Sequence, residues 1–280
     1  MKYIEIKAPA KINIGLSVLS KREDGFHNLS TLFYPISDLY DLLTFELSDR
    51  FIFDCDSDTI PVDSGNIVVK AKDILESASG KKINVKITLK KRIPSQAGLG
   101  GGSSDAAAVL ISLNEMFQLG FNHEQIIRLA LEAGSDVPFF VKSKPAIGKS
   151  RGEILEYLDL EIAEPVLIIN PGINISTKEA FRNVTAKNID YDFHSFIKNS
   201  RLDYSSMRQV VINDFEDYVF GNYPEIGKIK DTLYESGALF ALMSGSGSTV
   251  YGIFPDVQTA EEAKQRFPKN YFSYLSTRHY

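Results

Sequence analysis

Apolar and polar residues alternate along the first part of the chain, with the two-residue period of a β-strand. Between residues 12 and 18 the apolar side chains share one face, while Lys11 and Asn13 share the opposite face. From residue 2 to 19 the pattern predicts either two strands or one strand that bends at Pro9. Two later stretches also alternate and are expected to be strands: residues 32–45 and 85–90.

A helical period follows a long glycine-rich segment at residues 97–102, which is expected to be a loop. Apolar positions between residues 104 and 119 recur every three or four residues, so a helix is expected there. Asn122, with Gln125 three residues later, is a favourable start for a second helix. That helix is expected to end at Gly134.

Strands and helices interleave in the second half of the chain. The pattern predicts strands at residues 165–170, 238–244, 249–254 and 271–277 and a helix at residues 257–266. Interleaving of this kind is typical of an α+β domain. We therefore expect two domains, with a boundary near residue 158.

Composition and charge are those of an ordinary globular protein. Of the 280 residues 44% are hydrophobic and 24% charged, which excludes a disordered, collagen-like or coiled-coil chain. The formal net charge of −5 argues against a nucleic-acid partner. No apolar run is long enough to span a membrane, and residues 1–5 lack a signal-peptide core, so we expect a cytoplasmic protein without membrane association. Cys55 lies between two aspartates, which disfavour a reactive thiolate.

The most informative segment is the glycine-rich loop where it meets the following helix. Glycines let backbone amides approach a ligand closely, and a helix start adds unpaired N–H groups and the positive end of its dipole. This arrangement suits the phosphates of a nucleotide, and a flexible linker is the alternative. The residues expected to form the anion site are Gly98, Gly100, Gly101, Gly102, Ser103 and Ser104.

Two common phosphate-binding motifs do not fit the chain. Residues 98–103 nearly match the dinucleotide-binding fingerprint, but Ser103 replaces its third glycine and no strand with a ribose-binding acid follows. Residues 148–150 end like a Walker A loop, but Ser143 stands where that motif has glycine. We interpret both matches as accidental.

A second loop rich in glycine and serine, residues 243–248, joins two of the strands expected in the second half. Alone it is compatible with an ordinary hairpin turn. Its serines could also brace a substrate or press on the first glycine-rich loop.

Three segments together resemble the three motifs of the GHMP kinases, a family of small-molecule kinases. They are Pro9–Asn13, Pro94–Ala108 and Leu242–Ser248, in the order and at the spacing of that family. The resemblance implies an α+β, two-domain GHMP kinase fold. Residues 1–158 would form an ATP-binding domain like domain 2 of ribosomal protein S5, and residues 159–280 a ferredoxin-like domain. It also implies ATP as donor, with Mg²⁺ bound mainly through ATP and no dedicated protein metal site.

Four further runs narrow the resemblance to one branch of the family: residues 24–29, 134–139, 171–181 and 213–216. That branch phosphorylates the 2-hydroxyl group of cytidine diphospho-methylerythritol for isoprenoid synthesis, so this small molecule is the expected substrate. A kinase for another alcohol (homoserine or mevalonate), a non-catalytic nucleotide sensor and a structural interaction domain are the alternatives. Homoserine and mevalonate carry no pyrimidine, and a sensor should have lost Lys11 or Asp136.

The resemblance assigns Lys11 and Asp136 as the catalytic pair. Asp136 would accept the proton of the attacking hydroxyl group, and Lys11 would hold that carboxylate ionised and offset the developing charge. Taken alone, Asp136 is compatible with a turn residue after a helix and Lys11 with a solvent-facing lysine on a strand.

The resemblance also implies the residues around the substrate. His27 would hydrogen-bond the cytosine edge, and Phe26 and Phe181 would stack on the two faces of the base. Asn13 would lie near the methylerythritol part. The family usually has tyrosine in place of Phe26, so the stacking face is kept and a hydroxyl group is lost.

Asn66 matches a position near the adenine, although it is equally compatible with a helix N-cap. The basic run at residues 149–151 has no assigned role beyond a surface loop. The expected nucleotide-binding residues are Asn66, Pro94, Ala97, Gly98, Leu99, Gly100, Gly101, Gly102, Ser103 and Ser104.

Overall fold

Strands and helices alternate through the structure, a computed structural model that describes residues 3–58 and 60–277. The strands are β1 (Tyr3–Lys21), β2 (His27–Leu47), β3 (Ile52–Cys55), β4 (Val85–Lys90), β5 (Ala146–Ser150), β6 (Ile154–Tyr157), β7 (Val166–Asn170), β8 (Ile197–Lys198), β9 (Arg201–Leu202), β10 (Phe240–Met243), β11 (Val250–Ile253) and β12 (Phe272–Ser276). The helices are α1 (Ile67–Ser79), α2 (Gly101–Met116), α3 (His123–Ala133), α4 (Val137–Phe140), α5 (Thr177–Asn183), α6 (Tyr204–Val210), α7 (Glu216–Asn222), α8 (Pro224–Glu235) and α9 (Val257–Lys264). Within the described residues, no helix has the length and apolar character needed to cross a membrane.

The described residues form two compact units, each assembled from separate stretches of sequence. The first unit takes the described parts of residues 1–10, 39–95 and 100–143, and the second takes 11–38, 96–99 and the described part of 144–280. Strands β1 and β2 and the glycine-rich loop therefore contribute residues to each unit. The division into domains 1–158 and 159–280 stays a prediction, and residues 1 and 2 of the segment compared with a signal peptide lie outside the described residues.

A sheet and four helices build the first unit. Strand β4 pairs in parallel with β3, where Ile52 lies opposite Lys86, and antiparallel with the end of β2, where Leu42 lies opposite Lys90. Every second side chain of β4 is buried, as the alternation predicted. Helix α1 packs against α2 and α3, and α4 packs against α2 and α3.

Local hydrogen bonds define the ends of α1 and α3. The side chain of Asn66 accepts a hydrogen bond from the backbone N–H of Val68, and Gly80 ends α1 in the left-handed conformation. Asn122 and Gln125 form a complete capping box at the start of α3. The predicted start and end of α3 are both confirmed.

Helix α2 begins three residues earlier than the sequence predicted. Its N-cap is Gly100, with φ 72° and no capping side chain, so Gly101 and Gly102 belong to the first helical turn and not to the loop. A Cβ atom at Gly101 would lie 3.1 Å from the Ile93 side chain and 3.3 Å from that of Asp41. Close packing therefore explains a glycine that helix propensity alone disfavours.

A four-stranded antiparallel sheet, in the order β10–β11–β7–β12, forms much of the second unit. Helix α8 packs against β10 and β11, and α9 packs against β7 and β12. The succession β7, α8, β10, β11, α9, β12 is the β-α-β-β-α-β order of a ferredoxin-like fold, as the resemblance implied. The apolar strand predicted at 165–170 is β7, which is buried at every position.

The second unit also contains the first part of β2, which pairs with β5, and β5 in turn pairs with β6. Strand β1 runs without interruption from Tyr3 to Lys21, so the single strand is the correct one of the two alternatives.

Candidate active site

The ammonium group of Lys11 is buried against the glycine-rich loop. Lys11 is 3% exposed, and its Nζ donates to the carbonyl oxygen of Gly98 at 2.8 Å and to Oδ1 of Asn13 at 2.5 Å. Its backbone N–H donates to the carbonyl oxygen of Leu99 at 2.9 Å. A buried charge needs such partners, which also restrict its position. The alternative of a solvent-facing lysine is therefore wrong.

Asn13 ties β1 to three neighbouring segments of the second unit. Its backbone N–H donates to Oγ of Ser244 at 3.1 Å, and its side-chain amide donates to Oγ1 of Thr31 at 3.0 Å. Its carbonyl oxygen accepts from the hydroxyl group of Tyr251 at 3.0 Å. These bonds orient the Asn13 amide beside Lys11.

The loop at residues 243–248 is a hairpin connection between β10 and β11 that packs on the first glycine-rich loop. Oγ of Ser244 donates to the carbonyl oxygen of Gly98 at 2.9 Å, and the N–H of Thr249 donates to that of Ala97 at 3.3 Å. Gly98 has φ 76°, in the left-handed region that favours glycine. Both the backbone conformation and the close approach of the second loop therefore require glycine at position 98.

His27 and Phe181 form a stacked pair in the second unit. Their ring centroids lie 5.2 Å apart with 19° between the planes, and Phe215 meets Phe181 edge-on at 4.8 Å. Burial, and to a smaller extent Lys21, lowers the pKa of His27 below its ordinary value. The ring is therefore neutral at pH 7, with one nitrogen as donor and one as acceptor.

Phe26 is 47% exposed and carries the guanidinium group of Arg151 on its ring, 4.2 Å from the centroid. Glu153 stabilises the turn that presents Arg151, because its carboxylate accepts from Oγ of Ser150 at 3.0 Å and from the N–H of Arg151 at 2.7 Å. Oγ of Ser150 also accepts from Arg22 at 2.9 Å. The basic run that the sequence left without a role therefore forms a hydrogen-bonded turn beside Phe26.

In the first unit, the start of α2 presents the remaining loop residues. The first N–H groups of a helix lack intrahelical partners, and no side chain caps α2. The hydroxyl of Ser104 and one carboxylate oxygen of Asp105 are buried without a hydrogen-bond partner among the described residues. Pro94 lies half-buried between β4 and the loop. Uncapped amides at a helix N-terminus fit an anionic ligand such as a phosphate.

A buried lysine bridges two aspartates behind this helix start. Nζ of Lys91 lies 2.5 Å from Asp41 and 3.0 Å from Asp105. Asp41 also accepts from the backbone N–H groups of Arg92 at 2.6 Å and Ile93 at 2.9 Å. Burial, opposed by Lys91 and reinforced by Asp41, raises the pKa of Asp105 to about 7. The triad links the fifth residue of α2 to β2 and to the residue directly after β4.

Asp136 and Asn66 both stand at helix starts in the first unit. Asp136 is half-buried at the N-terminus of α4, and its side chain does not cap that helix. Asn66 caps α1, and its amide donates to the carbonyl oxygen of Pro61 at 2.7 Å, as the N-cap alternative predicted. A base role for Asp136 and an adenine contact for Asn66 stay predictions.

Metal and thiol chemistry have no visible centre in the part of the chain described. No group of three or more His, Cys, Asp or Glu side chains there could hold a metal ion. Burial, reinforced by Asp56, raises the pKa of the Cys55 thiol, which agrees with its exclusion as a nucleophile.

Several side chains that position the candidate residues within each unit were given no such role from the sequence pattern. Thr31 and Lys91 lie in ordinary strand or strand-end positions. Ser244 belongs to a run that the sequence did mark, and Asn213 to another, but neither run indicated a partner. Asn13 and Ser244 are 231 residues apart in the chain, and local sequence patterns do not predict contacts over such a separation.

Family comparisons agree with the three-motif resemblance. The chain matches the GHMP kinases N terminal domain over residues 66–144 and the GHMP kinases C terminal domain over residues 186–273. It is 40% identical to a 4-diphosphocytidyl-2-C-methyl-D-erythritol kinase of Chlorobium phaeobacteroides, over 97% of this chain and 96% of that protein. It is 41% identical to the protein of that name from Bacteroides thetaiotaomicron, over 90% and 93% of the two chains.

Solved structures of similar fold include a 4-(cytidine 5'-diphospho)-2C-methyl-D-erythritol kinase. That crystal structure has a TM-score of 0.83 and 32% identity, covering 97% of this chain and 98% of its own. A homoserine kinase from Cytophaga hutchinsonii has a TM-score of 0.67 and 19% identity, covering 100% and 96% of the two chains. The second likeness is one of fold alone.

Proposed function

Because this chain belongs to the 4-diphosphocytidyl-2-C-methyl-D-erythritol kinase family of the GHMP kinases, we propose that it transfers the γ-phosphoryl group of ATP to the 2-hydroxyl group of 4-diphosphocytidyl-2-C-methyl-D-erythritol. The products are ADP and the 2-phosphate, an intermediate of the non-mevalonate route to isoprenoids. The observation that carries the proposal is 40% identity to such a kinase over 97% of the chain. The resemblance to GHMP kinases and the two-domain α+β kinase fold are thereby confirmed.

The phosphates of ATP are proposed to bind the backbone amides of residues 100–103 and the hydroxyl group of Ser104, whose own N–H donates to the carbonyl oxygen of Gly100 at 2.9 Å. Support comes from the uncapped start of α2 and from the unpartnered hydroxyl group of Ser104. Mg²⁺ bound with ATP would neutralise phosphate charge there. Pro94, Ala97, Gly98 and Leu99 would shape the loop, and Asn66 would lie near the adenine.

Lys11 is proposed as the electrostatic catalyst and Asp136 as the base. A phosphoryl transfer develops negative charge between donor and acceptor oxygens, which a positioned ammonium group stabilises. The proposal is supported by the burial of the Lys11 Nζ and by its hydrogen bonds to Gly98 and Asn13, which restrict its position. Asp136 would take the proton of the 2-hydroxyl group as its oxygen attacks phosphorus.

The cytosine end of the substrate is proposed to bind beside His27, Phe26 and Phe181. A neutral imidazole offers one donor and one acceptor, which suits the mixed hydrogen-bonding edge of cytosine. Phe26 and Phe181 provide apolar faces for stacking. Asn13, next to Lys11, would contact the methylerythritol part.

An ADP-release assay with a panel of alcohols tests the proposal. The cytidylated methylerythritol should support turnover, whereas homoserine and mevalonate should not. Activity with homoserine or mevalonate alone would replace the substrate assignment, and no activity with any alcohol would favour a nucleotide sensor. A cytoplasmic location and the absence of nucleic-acid and membrane partners are proposed with the enzymatic role.

Replacing Asp136 by asparagine tests the base. Asp136→Asn should fold and bind ATP with unchanged affinity but lose at least about 100-fold in kcat, the range typical of a lost general base. Near-normal turnover by this variant would remove Asp136 from the mechanism and leave the substrate assignment intact.

A further inference from the structure

A short extended segment between α6 and α7 lies alongside β1 in the second unit. The N–H of Leu16 donates to the carbonyl oxygen of Ile212 at 3.0 Å, and the N–H of Asp214 donates to that of Leu16 at 2.9 Å. Asn213, between them, is 1% exposed. The segment belongs to the run 213–216, which the proposed mechanism does not use.

The side chain of Asn213 holds the two backbone carbonyls on either side of Ser244. Its amide nitrogen donates to the carbonyl oxygens of Met243 and Gly245, both at 2.8 Å. Its Oδ1 accepts from the N–H of Phe215 at 3.0 Å. Both amide hydrogens of Asn213 are thus bonded to the residues directly before and after Ser244. These two bonds restrict the position of Ser244.

The two acidic residues of the run 213–216 accept hydrogen bonds from β10 and from β1. Oε1 of Glu216 accepts from the N–H of Met243 at 3.0 Å, while Oε2 accepts from Lys230 at 2.6 Å. Oδ2 of Asp214 accepts from the N–H of Val18 at 2.8 Å. The end of β10 is therefore held through its N–H by Glu216 and through its carbonyl oxygen by Asn213.

Ser244 connects the hydrogen bonds of Asn213 to Lys11. Its Oγ is fully buried, accepts from the N–H of Asn13 and donates to the carbonyl oxygen of Gly98. That same carbonyl oxygen accepts from Nζ of Lys11. The ammonium group and the Ser244 hydroxyl group therefore share one acceptor, and the position of one constrains the other.

We propose that Asn213 is a positioning residue for the Lys11 ammonium group, acting through Ser244 and the carbonyl oxygen of Gly98. The inference rests on the proposed function, because Lys11 must be the group that stabilises the transferring phosphoryl. Loss of the Asn213 amide would release the Met243 and Gly245 carbonyls, shift Ser244 and displace the carbonyl oxygen of Gly98, which is one of the acceptors of Lys11.

Asn213→Asp tests this with little change in side-chain size, because it turns the double donor into an acceptor facing two carbonyls. We expect kcat to fall at least about 10-fold while KM for ATP and for the cytidylated substrate stays within about 3-fold, as for an interaction made in the transition state. Ser244→Ala should lower kcat similarly. Because Asn213 is proposed to act through Ser244, the two losses should not add. The kcat of the double variant should lie within about 2-fold of that of the slower single variant.

Asn114→Asp is the matched control. The amide of Asn114, in α2, donates to the carbonyl oxygen of Phe121 at 2.9 Å, so the same change also turns a carbonyl donor into an acceptor. This control should lose stability but keep kcat within about 2-fold. If Asn213→Asp does not fold, as judged by its circular dichroism melt, Asn213→Ser takes its place, because a hydroxyl group retains one of the two donors.

The outcomes separate the two proposals. A wild-type enzyme that turns over no alcohol overturns the proposed function. An active wild type with unchanged kcat in the Asn213 variant, multiplicative losses in the double variant, or an equal kcat loss in Asn114→Asp overturns the positioning role alone.

Discussion

The carbonyl oxygen of Ser244 lies 2.0 Å from the position that a Cβ atom on Gly98 would take. No side chain larger than hydrogen fits there without moving backbone on the opposing loop. Ser244 and Gly98 therefore bring the second loop and the first into contact through backbone atoms, with a hydrogen bond of 2.9 Å beside the close approach.

Gly98→Ala should consequently damage both stability and turnover. The left-handed conformation costs a non-glycine residue about 1–2 kcal/mol, and overpacking adds about 1–3 kcal/mol. Urea unfolding measures the loss of stability, and ADP release measures the loss of kcat that follows when the acceptor of Lys11 shifts.

Gly120→Ala controls for backbone conformation. Gly120 has φ 81° and no atom within 4 Å of an added Cβ, so only the conformational cost of about 1–2 kcal/mol applies. Kinetics of this variant should be those of the wild type. Equal losses in the two variants would contradict a steric role for Ser244.

Local sequence patterning predicted elements whose signals are short-range. The capping box of Asn122 and Gln125, the alternation in β4 and the apolar run of β7 each depend on residues within a few positions. Such elements were predicted almost to the residue. The start of α2 was not, because the glycine at position 101 packs against Asp41, which is distant in sequence, as well as against Ile93.

At the candidate site, the surroundings of Lys11 also could not be predicted from local sequence patterns. Alternation correctly separated Lys11 from the apolar face of β1 but could not show that residues 97–99 cover it. Its chemical type and motif indicated catalysis, whereas its burial and its bond to Gly98 needed the tertiary structure. Likewise, the Asp41–Lys91–Asp105 triad joins residues 50 and 14 positions apart.

His27 provides a pH-dependent prediction for substrate binding. Burial lowers the pKa of His27, so the ring is neutral at pH 7 and becomes a double donor only in more acidic solution. KM for the cytidylated substrate should therefore rise as the pH falls below the ordinary imidazole range, while KM for ATP changes less. Steady-state kinetics across that range measure both constants.

His27→Ala isolates this contribution. The variant should raise KM for the cytidylated substrate about 10-fold at neutral pH, the value of roughly one hydrogen bond. In this variant, the ratio of KM for the cytidylated substrate to KM for ATP should no longer rise as the pH falls. A ratio that keeps its pH dependence in the variant would assign the effect to another group.

Arg151 gives a prediction that concerns Phe26. Its guanidinium group lies 4.2 Å from the Phe26 centroid, and a contact of this kind contributes about 1 kcal/mol. Arg151→Ala should free the Phe26 ring and raise KM for the cytidylated substrate about 5-fold, with kcat little changed. Arg208→Ala is a matched control, because Arg208 also lies 4.2 Å from an aromatic centroid, that of Tyr234. A KM unchanged in Arg151→Ala, or raised equally in both variants, would contradict a role at the substrate.

Asp105 predicts how stability depends on pH. Burial raises its pKa to about 7, well above the unfolded value of about 3.9, so the folded state binds this proton more tightly than the unfolded state. The stabilisation is complete below the unfolded pKa and is lost as the pH rises through about 7. Asp105→Asn mimics the protonated carboxyl group and does not titrate. The variant should therefore gain stability relative to wild type as the pH rises from 5 to about 7, by at most about 1.4 kcal/mol per pH unit, and the gain should level off between pH 7 and 8.

Urea unfolding of both proteins at pH 5, 6, 7 and 8 measures this difference, and Asp203→Asn is its control. A hydrogen bond from Lys198 lowers the pKa of Asp203 to about 2, so its contribution is lost only as the pH falls toward that value. The Asp203→Asn difference should accordingly stay flat between pH 5 and 8. If the Asp105→Asn difference were equally flat, Lys91 would hold Asp105 ionised throughout this range, and the triad would carry a constant net charge near the start of α2.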